Sequence, residues 1–321
     1  MNKTQKYLLG ALALQIILIV VIFFLQRPVA ASNNLVFTDL KIEAVTGINL
    51  SDSTGKLLTL QKEGDHWILP DQANYPVNSD KVNQLIDSLA AIRDNRLVTR
   101  SESSQERLQI SNNNFAHKVE LTVNGKKEII YFGSSPTSNN FHFRLGGKNE
   151  VYLTNAVTTN LISTTISDWV DTIIYQIPYG SIKKISVKNG SGIFQFQKDA
   201  TDQWTSEQLP TGSQFDQSKW SSLLTAFSTM RMVEPISKTV LPEYGFTTPS
   251  ATIQIDYSDD AGTALSGTFI IGTKDESGNY YAQWSHSDYI YKISSYNAER
   301  ITNLDMTAYS SEIPTPTPEA N

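Results

Sequence analysis

The densest run of chemistry-bearing residues lies between positions 280 and 296: Tyr280, Tyr281, Trp284, Tyr289, Tyr291 and Tyr296. Aromatic rings on an exposed sheet face stack on sugars or anchor a protein partner. Aromatics also favour strands for packing reasons alone. Residues i and i+2 of a strand share a face, so Tyr289 and Tyr291 form one set, and Tyr280 with Ala282 and Trp284 forms its neighbour. One set is expected in the core and the other half-exposed. Tyr280, Tyr281, Trp284, Tyr289 and Tyr291 are therefore the candidate partner-binding or ligand-binding residues.

Other chemistries lack their residue patterns. The histidines, His66, His117, His142 and His286, are scattered, with no HExxH spacing that would converge on a metal. His66 precedes a strand tryptophan and His142 sits inside FHFRL, so both read as sheet side chains. There is no GxxxxGK[ST] to cradle phosphate, no GxGxxG, and no GxSxG nucleophile elbow. Gly190 and Gly192 in NGSG read as a hairpin turn. The pairs Asp259-Asp260 and Asp275-Glu276 fall in glycine-containing, turn-like stretches and read as solvated loop charges. Asp168 and Asp171 flank Trp169 without the spacing of a calcium loop, which points to a junction role. No catalytic, cofactor-binding or metal-binding residue is expected.

Composition narrows the classes further. The chain has 321 residues, a length for about two domains. With no cysteine it can form no disulfide, thiolate nucleophile, Cys-ligated zinc site or cysteine-linked lipid anchor. Its net charge of -6 argues against nucleic acid as a partner, because phosphate binding needs a basic face.

The elements that must position these residues begin with residues 7–25, YLLGALALQIILIVVIFFL, which carry no charge and one strongly polar side chain, Gln15. At about 1.5 Å per residue this run spans roughly 28 Å, near the hydrocarbon thickness of a bilayer. A transmembrane anchor over residues 1–27 is expected, with Lys3 and Lys6 holding the N-terminus in the cytoplasm and the bulk of the chain outside the plasma membrane as a single-pass protein. Val29-Ala30-Ala31 before Ser32 resembles a signal-peptide cleavage site, and the length of the apolar run weighs towards retention. Residues 28–38 read as a linker.

The rest reads as one unit written twice. HWILP holds Trp67 and QWTSEQLP holds Trp204, an offset of 137. The stripe Val82, Leu85, Ile86 and Leu89 has the spacing of one helix face, and Trp220, Leu223, Leu224 and Phe227 repeat it at an offset of 138. Asn78, Ser79, Asp216 and Ser218 precede the stripes as candidate N-caps. KVELTV and TIQIDY follow as alternating strands, then segments around Gly133 and Gly272, 139 apart. The expected fold class is α+β: an N-terminal transmembrane helix followed by two tandem α+β repeats, each a bent antiparallel sheet with a covering amphipathic helix. The repeats are expected at residues 39–176 and 177–309, with a disordered Thr/Pro tail at 310–321.

Several of these segments carry a resemblance. The tryptophan-led strand, the amphipathic helix, LPEYGFTTPSATIQI, the strand ending IIGTK, the YYAQW and YIYKI pair and SDWVDT resemble the bacterial domain-of-unknown-function 4340 family. Its best motif is Tyr244-Gly245-Phe246 with Pro249, and the first copy, RLQISNNNFAHKVEL, has no matching Gly or Pro. The resemblance implies membrane tethering and association with ABC-transporter components of the type linked to gliding and auxiliary export. It supplies no catalytic residues. The expected function is a non-enzymatic accessory or scaffold subunit of an ABC-transporter-type or cell-envelope complex, with the membrane contacted through residues 7–25 and no nucleic acid bound. The alternative is an extracytoplasmic protein that binds a glycan or peptide.

Overall fold

A computed structural model describes residues 3–25, 33–137 and 140–313 of the chain. Period-two alternation dominates it. β1 (Val45–Asp52) buries Ile48 and Leu50 opposite Leu121 and Val119 of β6 (His117–Val123), so matched side chains from both strands enter one core. β2 (Leu57–Glu63), β3 (His66–Leu69), β4 (Tyr75–Pro76), β5 (Leu97–Thr99), β7 (Lys126–Phe132), β8 (Phe141–Leu145) and β9 (Val151–Thr154) complete the first large sheet. Among the described residues its order is β4-β3-β2-β1-β6-β7-β8-β9-β5.

A second large sheet is built from β11 (Ile182–Asn189), β12 (Gly192–Lys198), β13 (Trp204–Thr205), β16 (Glu234–Ser237), β17 (Ala251–Ser258), β18 (Ala264–Lys274), β19 (Tyr280–Trp284) and β20 (Ile290–Ile293). Its order is β13-β12-β11-β17-β18-β19-β20-β16, which runs in step with β3-β2-β1-β6-β7-β8-β9-β5. The register places Ile185 between Phe196 and Ile255, and Val187 between Phe194 and Ile253. Two small sheets remain. One pairs β10 (Ile173–Gln176) with β15 (Thr229–Arg231), and the other pairs β14 (Ser213–Phe215) with β21 (Ser310–Glu312). Strand pairing thus reaches Glu312, while the Thr/Pro repeats at 314–321 lie outside the described residues.

Helices begin where side chains satisfy their first amides. α1 is Lys3–Leu25, α2 is Ser79–Ala90, α3 is Glu102–Arg107, α4 is Gln217–Ser228 and α5 is Ser295–Thr302. Asn78 Oδ1 accepts from the N–H of Asp80 at 3.0 Å, and Asp216 Oδ1 accepts from Ser218 and Lys219, each at 3.1 Å. Val82, Leu85, Ile86 and Leu89 are wholly buried on α2, and Trp220, Leu223, Leu224 and Phe227 are buried on α4. At about 1.5–3 kcal/mol for each large apolar side chain removed from water, these stripes rather than helix propensity hold the helices in place.

The expected fold class is corrected on two counts. Strand outweighs helix, 39% against 24%, so the architecture is mostly antiparallel sheet in several sheets rather than an α+β unit with a transmembrane lead. The reason is that most buried side chains reach the core by strand alternation, and helices contribute two long stripes. α1 does form, but among the described residues no helix is long and apolar enough to cross a membrane. The single-pass anchor, the plasma-membrane location and the extracytoplasmic placement of the bulk of the chain therefore do not stand. The expected linker falls largely on residues outside those described.

The chain divides into two compact units: Met1–Leu57 with Asn83–Ile162, and Leu58–Val82 with Ser163–Asn321. The second is organised around Ile185, Val187, Phe196, Trp220, Phe227, Ile253, Ile255 and Phe269. Within the first, Ile110, Tyr131 and Val151 form a smaller apolar cluster with Leu108, Phe115 and Ile129 packed on it.

Candidate functional site

β19 and β20 pair Tyr280 with Ile293, Tyr281 with Lys292 and Ala282 with Tyr291. Trp284 and Tyr291 are buried, 5% and 3% exposed, while Tyr280, Tyr281 and Tyr289 are half-buried. Burial therefore divides each of the two expected aromatic sets instead of separating one from the other, and the five rings lie in four distinct surroundings.

Tyr281 lies on the buried ring of Tyr244 at 4.4 Å between centroids, and the Lys292 ammonium sits 5.8 Å from the Tyr281 ring. Lys292 bridges Asp275 at 3.0 Å and Glu234 at 3.2 Å. Burial works against the Lys292 charge, yet hydrogen bonds to Asp275 and Glu234 hold its pKa above the ordinary value. For Asp275 burial acts to raise the pKa, and the hydrogen bond from Lys292 together with backbone N–H groups outweighs it, leaving the carboxyl below the ordinary value. Tyr280 instead donates its hydroxyl to Glu299 on α5 at 3.4 Å, beside the Lys274–Glu299 pair.

Tyr289 and Tyr291 gather around Tyr75, with ring centroids 4.7 Å and 6.4 Å from it. Tyr289 donates its hydroxyl to Asn74 O at 3.3 Å, and the Tyr291 hydroxyl lies 2.6 Å from Ser287 Oγ. Lys238 Nζ sits 4.5 Å over the Tyr289 ring. Burial first, then the neighbouring Tyr291, Asp171 and Tyr289, push the Tyr75 hydroxyl pKa upward. The Tyr289 and Tyr291 hydroxyls each have a local partner, so the cluster reads as packing.

Trp284 is different. It stacks on Tyr175 at 4.4 Å and 28°, has His286 against it at 5.3 Å, and forms part of the wall of a cavity of about 390 Å³. Residues 174–178 make one side, Tyr257 and Trp284 another, and Ser258, Asp259 and Asp260 complete the lining; all belong to the second unit. Asp259 Oδ1 accepts the N–H groups of Ala261 at 3.0 Å and Thr263 at 2.8 Å, which fixes the turn after β17. The fold thus brings the Asp259-Asp260 pair, which reads in sequence as solvated loop charge, to the same cavity as Trp284. Sequence reasoning missed Tyr175. Its signal was the β-like run IIYQI, overshadowed by its place at the boundary expected between the two repeats.

The first unit has a cavity at the corresponding place in its sheet. Its volume is about 430 Å³, and it is lined by residues 36–40 ahead of β1, by Val123 at the end of β6 and by Leu145 at the end of β8, with Lys126 and Glu128 from β7. Tyr257, one residue before the end of β17, and Trp284, the last residue of β19, lie on the strands that match β6 and β8 in the sheet order. In each unit the lead-in segment is tied to the C-terminal end of the amphipathic helix or just beyond it: Val36 N–H donates to Ile92 O at 2.9 Å, and Ile177 N–H donates to Ser228 O at 2.6 Å.

Other candidates occupy structural places. His142 is buried with Nδ1 2.7 Å from Ser134 O, His66 is exposed, and His117 is half-buried with its pKa lowered by burial. Trp169 donates Nε1–H to Ser163 O at 2.9 Å, Asp168 O accepts Lys81 Nζ at 2.5 Å, and Asp171 accepts the Ile173 N–H. Among the described residues no group of three His, Cys, Asp or Glu is placed to hold a metal ion.

A family model described as a domain of unknown function, DUF4340, matches residues 67–249, from the first-sheet tryptophan to the proline beyond Tyr244-Gly245-Phe246. No curated protein and no solved structure matches the chain.

Proposed function

This chain belongs to the DUF4340 family, and on that premise we propose that it is a non-enzymatic binding protein whose Trp284 cleft receives a ligand. The observation that carries the reading is the cleft itself. Its volume of about 390 Å³ falls within the range of roughly 300–1,000 Å³ that ligand sites occupy, and an aromatic wall meets a pair of carboxylates there. The resemblance to transporter-associated proteins makes an accessory or scaffold role in an ABC-transporter-type complex the first setting, and the ligand is then a segment of a partner subunit. The aromatic wall of Tyr257 and Trp284 also favours a second reading, capture of a free peptide or glycan.

A thermal-shift screen of the full chain with short peptides and oligosaccharides tests the cleft, because a ligand that binds only the folded state raises the melting temperature. Ser258 lines the cleft, so Ser258→Trp fills it from the wall. Hits are expected to stabilise the unaltered chain and to lose that effect in Ser258→Trp. Hits that stabilise both equally sink the reading.

A further inference from the structure

β10 pairs with β15 along one edge, and among the described residues no strand pairs with its other edge. On the β15 side Ile177 donates its N–H to Ser228 O, so the alternation of an antiparallel ladder turns the backbone groups of Gln176 towards the open edge, while the register shifts between Ile173 and Tyr175. Residues 174–178 are the stretch that lines the cleft. An open edge beside a side-chain-sized cavity is the arrangement by which a sheet accepts an extended peptide as a further strand, backbone pairing supplying affinity and the cavity supplying selection.

The charge of the cleft has one sign. Asp259 and Asp260 line it, and no Lys, Arg or His does. Asp260 is exposed and makes no hydrogen bond or ion pair among the described residues. The half-buried ring of Tyr257 lies two residues from Asp259, so a cation placed there meets both a carboxylate and an aromatic face. The corresponding cavity of the first unit carries Lys126 with Asp39 and Glu128, so the one-sided charge belongs to the second copy alone.

We propose that the cleft takes an extended peptide segment that pairs with the open edge of β10 and directs a lysine or arginine side chain to Asp259 and Asp260. This rests on the cleft being a ligand site.

The test uses the full chain and fluorescently labelled short β-prone peptides that differ at one central position, Lys, Arg, Met or Glu, with a linear oligoglucoside as the neutral sugar probe. Anisotropy reads the peptides and calorimetry reads the sugar. Lys and Arg peptides are expected to bind, Met to bind about tenfold more weakly and Glu not at all. The double variant Asp259→Asn with Asp260→Asn, which keeps an acceptor for the turn, is expected to bring Lys and Met peptides to equal affinity. N-methylating alternate backbone amides of the Lys peptide is expected to weaken binding about tenfold in one alternation register and little in the other. Equal binding of Lys and Met peptides by the unaltered chain, or indifference to methylation in both registers, overturns the proposal. Sugar binding that Ser258→Trp abolishes, with no peptide binding, overturns it while leaving the cleft as a ligand site. If no probe binds, the proposal and the reading beneath it fall together.

Discussion

The Trp284 indole lies across the backbone of Gly267, so close that a methyl group on that α-carbon would overlap the six-membered part of the ring system. β18 has no side chain at this position because the indole occupies the space, and Tyr175 stacks on Trp284. Gly267→Ala must displace Trp284, Tyr175 or the strand. It is expected to cost about 1–3 kcal/mol, the range for overpacking a filled core. A lowered denaturant midpoint with an unchanged m-value checks it, and ligand binding at the cleft is expected to weaken in parallel.

Gly272 shows the same device with backbone as the neighbour. A methyl there would overlap Tyr244 O, in the Tyr244-Gly245-Phe246 turn that the family motif contains, and Gly133 meets Leu108 O in the same way. Gly245 has φ +73, left-handed backbone that a larger residue strains. Gly272→Ala is expected to unseat the turn, with a destabilisation of about 1–3 kcal/mol and loss of amide-exchange protection at Gly245, whose N–H donates to Pro242 O. Unchanged exchange there defeats the account.

The local order of elements was open to sequence reading, because period-two and period-3.6 patterns depend on near neighbours. The stripes of α2 and α4, the caps Asn78 and Asp216, and the alternation Ile253, Ile255 all show themselves within a dozen residues. The cleft does not. It joins Tyr175, Tyr257 and Trp284 across more than a hundred residues, and Trp284 reaches it through Gly267, whose role appears only once β18 and β19 are paired. The balance of sheet against helix was misjudged for a related reason. Short strands such as β10, β14 and β21 have three or four residues of pattern each and find their partners at long range.

Lys292 and Asp275 define an acid limit. The Asp275 side chain is 8% exposed, and its pKa lies below the ordinary value. A depressed folded-state pKa contributes stability that is present above the unfolded value and is lost as pH falls through the folded one. Asp275→Asn is expected to cost about 1–3 kcal/mol at neutral pH, between the exposed and the fully buried case. Its stability is expected to change less between neutrality and strong acid than that of the unaltered chain. Parallel urea midpoints against pH for the two proteins would show the Asp275 contribution to be nil.

Tyr75, Tyr175 and Tyr291 set an alkaline limit by the opposite sign. Burial raises all three hydroxyl pKa values above the ordinary 10.0, with neighbouring tyrosines adding to it at Tyr75 and Tyr291. A raised folded-state pKa gives stability that is complete below the unfolded value and is lost as pH rises through the folded one. Unfolding and the share of tyrosinate absorbance that belongs to these three rings are therefore expected to appear together above pH 10, with Tyr175→Phe delaying unfolding and removing its part of that share. Tyrosinate absorbance that develops fully near pH 10 with the circular dichroism unchanged contradicts this.

Arg144 offers a test of specificity in the first unit. It is 3% exposed and has no carboxylate partner among the described residues. Nε donates to Ile110 O at 2.8 Å, Nη1 to Lys148 O at 3.0 Å, and Nη2 to Asn112 Oδ1 at 2.7 Å, with the guanidinium 4.5 Å from the Tyr131 ring centroid. With Leu145 O at 3.3 Å from Nη1, four acceptors are met by one planar fork, a geometry that an ammonium cannot reproduce. Arg144→Lys keeps the charge but strands these acceptors, of which the Ile110 carbonyl is buried, at about 1–3 kcal/mol for that unsatisfied group. Arg144→Met also strands them, but without burying an unpaired charge. The lysine variant is therefore expected to be no more stable than the methionine one, despite its closer likeness to arginine. A thermal midpoint for Arg144→Lys near that of the unaltered chain would show that charge alone, rather than the fork, holds residues 110–112 and 148 together.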